Sequence, residues 1–296
     1  MSDRLDLVAF DIETTGFTVD DEVTVIGFAL PMGVRVFCRT DRRPAPELEQ
    51  TVQQRVPDTV RVSTHPSERA LLAAVGEFAA ARLADDDVLL VAYNGERWRA
   101  GFDLPFLRTR LATTDVAWPF QNSPYADLMP IITNRFNTTV DGSASSDDGA
   151  ASDRAAGGDC DGGGDGGDRV GDIENNDADI KINEIDNEIG EKDIENDEED
   201  IKTAAAESDA DERVGTRRDL AGVYATLGDG TYDELDPFTD SSEAVTAFEA
   251  GRFADLVVHN VADVLRTRHL GRLAERYCSK SDFSLKSLTP TIHAGD

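Results

Sequence analysis

Residues 141–212 carry 26 acidic and 5 basic side chains, a net charge of −21 in 72 residues, and no aromatic residue. Such a stretch buries too little apolar surface to offset the entropy of ordering its backbone. It opens as a Gly/Ser/Asp tract over 141–171 and continues as a Glu/Asp/Asn tract punctuated by isoleucine. The word Asp-Ile-Glu-Asn occurs there at Asp172 and again at Asp193, a degenerate short repeat. Ile182, Ile185 and Ile189 stand at helical spacing, enough for a transient helix but not for a coiled-coil seam. The expectation is a long disordered acidic insertion over 141–212, with residues 1–140 and 213–296 folding together as one domain.

The tract changes how the overall charge is read. The 296 residues hold 59 Asp+Glu against 29 Lys+Arg, a net of −30, and 40% hydrophobic residues, enough for a core. A net charge of −30 argues against a general phosphate-binding surface. Outside 141–212, however, the net is only −9. No run of 18 apolar residues exists, so no membrane-spanning helix is expected, and the N-terminus lacks the pattern of a signal peptide. Cys38, Cys160 and Cys278 are odd in number and far apart. They make neither a disulfide framework nor a CxxC site, which points to a reduced, cytoplasmic protein. Of the basic residues 24 are Arg and 5 are Lys, and only Lys280 and Lys286 lie outside the tract. This acidic, Lys-poor, Arg-retaining usage resembles proteins of haloarchaea, in which surface carboxylates maintain solubility in molar salt. At such salt the Debye length is about 3 Å, and long-range repulsion of a polyanion is weak.

Around the tract the pattern is α/β. Residues 5–13, 23–30 and 34–39 read as strands, the last two joined by a Pro-Met-Gly turn, and 57–64 as loop or short strand. Residues 68–83 carry apolar side chains at helical spacing behind a cap at Ser67 or Pro66. Residues 87–93 form an apolar strand of the kind buried at a sheet centre. Residues 104–111 read as helix, and 126–132 as a short strand or helix start. Beyond the tract come helices over 217–227, 240–250 (Asp240 and Glu243 as a capping box, Gly251 as the stop) and 253–277. A β-meander, then alternating elements, then helices predicts a layered α/β fold with a mixed central sheet.

Three words carry chemistry. In Phe10-Asp11-Ile12-Glu13-Thr14-Thr15-Gly16, alternation puts Asp11 and Glu13 on one face, about 6.6 Å apart along the strand, with Phe10 and Ile12 facing a core. Two carboxylates ending a buried strand are costly unless a cation neutralises them; the plainer alternative is a solvated strand end. Asn94-Gly95 is followed by Phe102-Asp103-Leu104, where Asp103 opens a helix and is otherwise read as a plain cap. In His259-Asn260-Val261-Ala262-Asp263, His259 and Asp263 share a polar stripe on an otherwise apolar helix; the alternative is an ordinary surface pair.

In this order the three words resemble the Exo I (Asp11, Glu13), Exo II (Asp103) and Exo III (Asp263) motifs of the DEDD superfamily of 3′–5′ exonucleases. The run from Ser242 through Gly251 to the His259 helix is similar to the approach to Exo III in stand-alone relatives of family B DNA polymerase exonuclease domains. The resemblance implies a ribonuclease H-like three-layer fold. It also implies two Mg²⁺ or Mn²⁺ ions held by Asp11, Glu13, Asp103 and Asp263, and hydrolysis at the 3′ ends of single-stranded DNA or RNA. Two such ions stabilise both the attacking and the leaving oxygen of an in-line displacement. His259 then either takes the proton of the attacking water or positions it. Two features depart from the family. Residues 96–101 widen the gap between Asn94 and Phe102, and His259 stands at the spacing where one subclass has tyrosine.

Thr14, Thr15, Asn94 and Phe102 are further candidates for contact with the terminal nucleotide, against simple turn chemistry for the threonines. Phe17 or Trp98 offers a ring for base stacking, but core packing is the favoured reading for Phe17, and filling the loop before Phe102 is the alternative for Trp98. Lys280 and Lys286 are candidate phosphate contacts, and Arg268, Arg272 and Arg276 read as a solvated or ion-paired helix face. Asp127 reads as structural. A polymerase palm does not fit in 296 residues, so proofreading would be in trans, with replication or repair proteins as partners. The competing readings are a catalytically altered nucleic-acid-binding or complex-forming protein on the same fold, and a chain whose acidic tract is the functional part.

Overall fold

Alternation in one strand decides the layering. In β1 (Asp6–Thr14), Val8, Phe10 and Ile12 point into one apolar cluster while Leu7 and Ala9 point into another on the opposite face. The computed structural model describes residues 5–83, 87–96, 102–121, 123–141, 214–240 and 242–288. Trp98, Cys160 and all of the acidic tract except Asp141 lie outside the described residues. The chain divides into two units, Met1–Val140 with Thr216–Asp296, and Asp141–Gly215.

β2 (Val23–Leu30) and β3 (Gly33–Arg39) continue from β1 as an antiparallel meander. Their hairpin closes on Gly33, whose φ of 141° suits glycine and whose missing Cβ would stand 2.5 Å from the Thr59 carbonyl oxygen. After α1 (Leu48–Gln53), β4 (Val60–His65) runs parallel to β3, so the segment left open between loop and strand is a strand. β5 (Val88–Ala92), buried at every residue, lies parallel to β1 on the other side. β6 (Pro124–Asp127) follows it in parallel. The C-terminal stretch adds a short antiparallel edge strand, β9 (Lys286–Ser287), that the sequence pattern does not announce. The seven-stranded mixed sheet has the order β4-β3-β2-β1-β5-β6-β9.

Helices cover both faces. α2 (Glu68–Arg82) and α3 (Asp103–Thr114) pack on the Phe10 side, with Leu71, Leu72, Leu104 and Leu107 in the cluster. The other side holds α4 (Leu128–Arg135), α5 (Leu220–Leu227), α6 (Ser242–Glu249) and the long α7 (Phe253–Tyr277). Short polar side chains set the helix starts. Ser67 accepts from Ala70 N, Asp127 from Met129 N and Asp219 from Gly222 N. The Asp240/Glu243 capping box forms, with Glu243 accepting from Asp240 N and Asp240 from Ser242 N. Gly251, at φ 73°, ends that helix.

Glu68 ties three elements together. Its carboxylate is 4% exposed, accepts Val23 N at 2.8 Å, and receives Arg110 through Nε at 2.9 Å and Nη2 at 2.7 Å. The residues flanking the acidic tract also meet. β7 (Thr139–Asp141) pairs with β8 (Val214–Thr216), and Thr138 and Arg217 exchange two hydrogen bonds of 2.9 and 3.0 Å.

Glu68→Ala strips a buried guanidinium of its partner and is expected to lower unfolding free energy by about 3–5 kcal/mol; urea denaturation measures this. Replacing residues 142–213 with a short Gly/Ser linker is expected to shift the thermal midpoint by only a few degrees, because long loops add little closure entropy. A cooperative transition lost in that variant would contradict the one-domain reading.

Candidate active site

The α7-facing side of β1 changes character at its end. Leu7 and Ala9 are followed on that face by Asp11 and Glu13, with a register shift in the β1–β2 ladder between Glu13 and Thr14. α7 lies across this face and meets the carboxylates with polar residues that are themselves buried: His259, Asn260 and Arg266. Asn260 Nδ2 donates to Asp11 Oδ2 at 2.8 Å and fixes that carboxylate. The room for Asn260 comes from Gly27, the cross-strand partner of Asp11, where a Cβ would stand 2.0 Å from Asn260 Oδ1.

His259 is 4% exposed, so it is not part of a surface pair. Its Nδ1 lies 2.7 Å from Asp236 Oδ1, and its Nε2 faces Glu13 Oε1 at 3.7 Å and Asp263 Oδ2 at 3.9 Å. Arg266 spans the same acids, with Nη1 donating to Asp236 Oδ2 at 3.0 Å and to Asp263 Oδ1 at 3.1 Å.

Asp103 is the first residue of α3, and no side chain caps that helix. The plain-cap reading of Asp103 is therefore replaced by a buried carboxylate, 8% exposed. The loop after β5 holds it in place. Phe102 N donates to Asn94 O, Leu104 N donates to Gly95 O, and Asn94 takes a left-handed φ of 59°. A Cβ on Gly95 would come within 3.1 Å of Asp103 Oδ2. Asn94 and Gly95 are thus held directly against Phe102 and Leu104.

The electrostatics follow from burial and crowding. Burial first, then the charges of Asp103, Glu13 and Asp263, push the Asp11 carboxyl well above the usual range. Burial and the charges of Glu13, Asp127 and Asp263 do the same to Asp103. Burial raises Glu13 to about 7 against the pull of His259. Burial also raises Asp263, against His259 and Arg266. For His259, burial acts downward but is outweighed by the Asp236 hydrogen bond and the charges of Glu13 and Asp263, which lift it to about 9. The imidazolium and Arg266 are thus the resident positive charges of the cluster. Glu13, His259 and Asp263 present three potential ligand atoms within 4.8 Å of one another.

Other expected site residues fall elsewhere. The Thr15 hydroxyl donates to Asp21 and accepts from Glu22 N, and the Thr14 hydroxyl donates to Gly16 O, so both serve the turn after β1. The Asn94 N–H binds Asp127, which thereby links β6, α4 and the β5 loop as a structural acid. Phe17 is not in the core: it is 69% exposed and meets Phe102 edge-on at 5.1 Å. Lys286 is paired with Glu96 at the sheet edge. Lys280 lies beyond the end of α7, itself about 21 Å along the helix axis from Asp263, and lines a separate cavity with Arg272 and Arg276. Arg268 is buried and paired with Asp58 at 3.0 Å, unlike the exposed Arg272 and Arg276. Sequence alone missed Asp236, Asn260 and Arg266. Gly27, lone in an apolar strand, was the available signal for Asn260; Asp236 sits in a loop with no pattern to mark it.

Compared with known proteins, the chain matches no family model and no curated protein.

A carboxyl whose pKa is raised by folding binds a proton that the unfolded chain has already lost, so stability falls as pH rises through that interval. Glu13, at about 7, acts this way between its ordinary value of 4.5 and 7, and His259, at about 9, between 6.5 and 9. Asp236, lowered by His259 against its own burial, acts only in stronger acid. The thermal midpoint of the metal-free protein is expected to fall from about pH 5.5 to about pH 8.5, with the slope reduced in Glu13→Gln. Melts in chelator check this; a midpoint that rises over that range would refute it.

Proposed function

We propose that the chain is a metal-dependent 3′–5′ exonuclease on a ribonuclease H-like fold, hydrolysing phosphodiester bonds at the 3′ ends of single-stranded DNA or RNA. The observation that carries this reading is the convergence of Asp11, Glu13, Asp103 and Asp263, from β1, α3 and α7, into one mutually repelling group, two of them buried and two half-buried. The sheet order supports it: an antiparallel meander β3-β2-β1 is flanked by the parallel strands β5 and β6.

The donor set fits hard divalent cations. Four crowded carboxylates with raised proton affinity would be stabilised by opposite charge, and Mg²⁺ and Mn²⁺ take carboxylate oxygens. Asp11, Glu13, Asp103 and Asp263 would hold such ions, which when bound would supply Lewis acidity to a phosphodiester displacement. The chain's own residues orient the ligands. Asn260 pins Asp11, and Arg266 pins Asp263 while leaving Asp263 Oδ2 directed at the cluster. The exposed Phe17, three residues past Thr14 and edge-on to Phe102, offers a ring on which a terminal base could stack. An anionic substrate would approach this overall acidic protein at the carboxylate cluster, where bound cations would offset the charge. Replication or repair proteins that generate single-stranded ends are the partners this activity fits.

Asp11→Ala and Asp263→Ala are each expected to reduce Mn²⁺- or Mg²⁺-dependent release of mononucleotides from a 3′-labelled oligonucleotide by more than the about 100-fold typical of losing an outer partner of a metal ligand. Equal rates in the variants and wild type would overturn the assignment. A wild-type protein that binds single strands without metal-dependent release would favour the non-catalytic binding reading.

A further inference from the structure

We infer that His259 is itself a metal ligand, forming with Glu13 and Asp263 a mixed nitrogen–oxygen site that accepts Mn²⁺ in preference to Mg²⁺. The inference rests on the reading that the carboxylate cluster binds divalent cations, and it reassigns the imidazole from base or water-positioner to ligand.

The first support is the direction and isolation of Nε2. The His259 side chain is 6% exposed, and Nε2 has no hydrogen-bond partner among the described residues; its nearest acceptors are Glu13 Oε1 at 3.7 Å and Asp263 Oδ2 at 3.9 Å. Those separations are too long for hydrogen bonds. They suit two ligands on one ion, since bonds of about 2.1 Å place donor atoms roughly 3–4 Å apart. The three atoms share one small volume, all within 4.8 Å.

The second support is independent and comes from the other side of the ring. A ligating histidine almost always donates its remaining ring N–H to a carboxylate or carbonyl, which fixes the tautomer and the ring orientation. His259 Nδ1 has that partner in Asp236 Oδ1 at 2.7 Å. Asp236 is itself held, by Arg266 Nη1 at 3.0 Å and by Phe238 N at 3.1 Å. Phe238 also packs on the imidazole ring, with centroids 5.1 Å apart. With the Asp236 bond holding the N–H on Nδ1, a cation that displaces the Nε2 proton of the imidazolium into solvent finds Nε2 as the ring's remaining donor atom, facing the two carboxylates. One lone pair serves one acceptor, so a ligating Nε2 does not also deprotonate water. The cation class follows from the donor atoms. Imidazole nitrogen suits first-row transition ions, best the later ones; Mn²⁺, mainly an oxygen binder, still accepts it more readily than Mg²⁺, which takes oxygen and keeps its waters.

The test reads metal coordination rather than turnover. The full-length protein is loaded with Mn²⁺, and its pulsed electron spin echo spectrum is searched for coupling to a directly bound ¹⁴N. Wild type is expected to show it and His259→Gln to lack it. In the same titration His259→Gln and Asp236→Asn are expected to weaken Mn²⁺ binding by at least about tenfold, with Mg²⁺ affinity, measured by competition, changed by less than about twofold. The wild-type spectrum needs no variant, so a variant that misfolds does not blunt the test. Bound Mn²⁺ without ¹⁴N coupling, or an unchanged Mn²⁺ affinity in a folded His259→Gln, overturns the inference. Cleavage without coupling removes the ligand role and leaves the nuclease reading intact. Coupling without cleavage does the reverse, and a wild type that binds no Mn²⁺ removes the ligand role outright.

Discussion

Holding four carboxylates inside one another's field, two buried and two half-buried, is the constraint on which the rest of the structure depends. Two unit charges about 5 Å apart at an effective dielectric of about 20 repel by roughly 3 kcal/mol. Flexible loops would relieve such strain by moving apart. Here the acids are mounted on parts that resist movement. Asp11 and Glu13 end the central strand of the sheet, bonded to β2 on one side and preceded by the β5 pairing on the other. Asp263 sits on a 25-residue helix whose polar as well as apolar side chains are buried. Asp103 sits at a helix start bonded into the β5 loop. His259 and Arg266 then place two positive groups against the acids. The fold is the frame that stores this repulsion, and on the proposed reading a divalent ion would relieve it.

The parts legible in the sequence are those governed by short periodicities. A period of two told that Asp11 and Glu13 share a face, and a step of four told that His259 and Asp263 share another; both hold in the structure. Helix caps at Ser67 and Asp240 were legible because their chemistry is local. What was hidden depends on long-range meetings. Asp236 has no motif, and its role exists only because a loop brings it to a helix residue 23 positions later. Asn260 looks like filler beside His259 until α7 is laid over β1 and its amide meets Asp11, 249 residues away in the chain. Phe17 misled because an aromatic ring after a buried strand resembles core; it stands outside because Thr14 and Thr15 close their turn early and aim the chain outward. Lys280 misled because scarcity of lysine is a compositional fact, and composition does not say which end of a helix a residue follows.

α7 explains why the carboxylate end and the far end of the molecule are so different. Where it crosses β1 and β2 its buried polar residues serve the acids; two residues on from Arg266, the buried Arg268 turns to the Leu30 carbonyl and Asp58 instead. The same helix therefore clamps the β2–β3 corner and the site. A substitution in its middle acts on stability and site geometry together, whereas Arg272 and Arg276, exposed in its last turns, are separable from both.

Acidity alone does not mark the site in a chain with 59 Asp and Glu; environment does. Asp21, Asp41, Glu49, Asp229, Asp240, Glu243 and Asp282 all have lowered proton affinity, and in each the leading cause is a hydrogen bond donated to the carboxylate. These acids are content as anions and ask for no cation. Asp11, Glu13, Asp103 and Asp263 move the opposite way, with burial leading in every case. Asp127 is the instructive exception: burial raises it too, but two backbone N–H groups converge on its carboxylate, which explains it as structure. Raised acids without enough donors are the ones left wanting positive charge. That criterion isolates the same four residues that the strand and helix spacings single out, by a route that uses no motif. The strongly acidic surface and the buried-end carboxylate cluster thus share residue types but not physics, and the overall charge does not by itself count against the proposed anionic substrate.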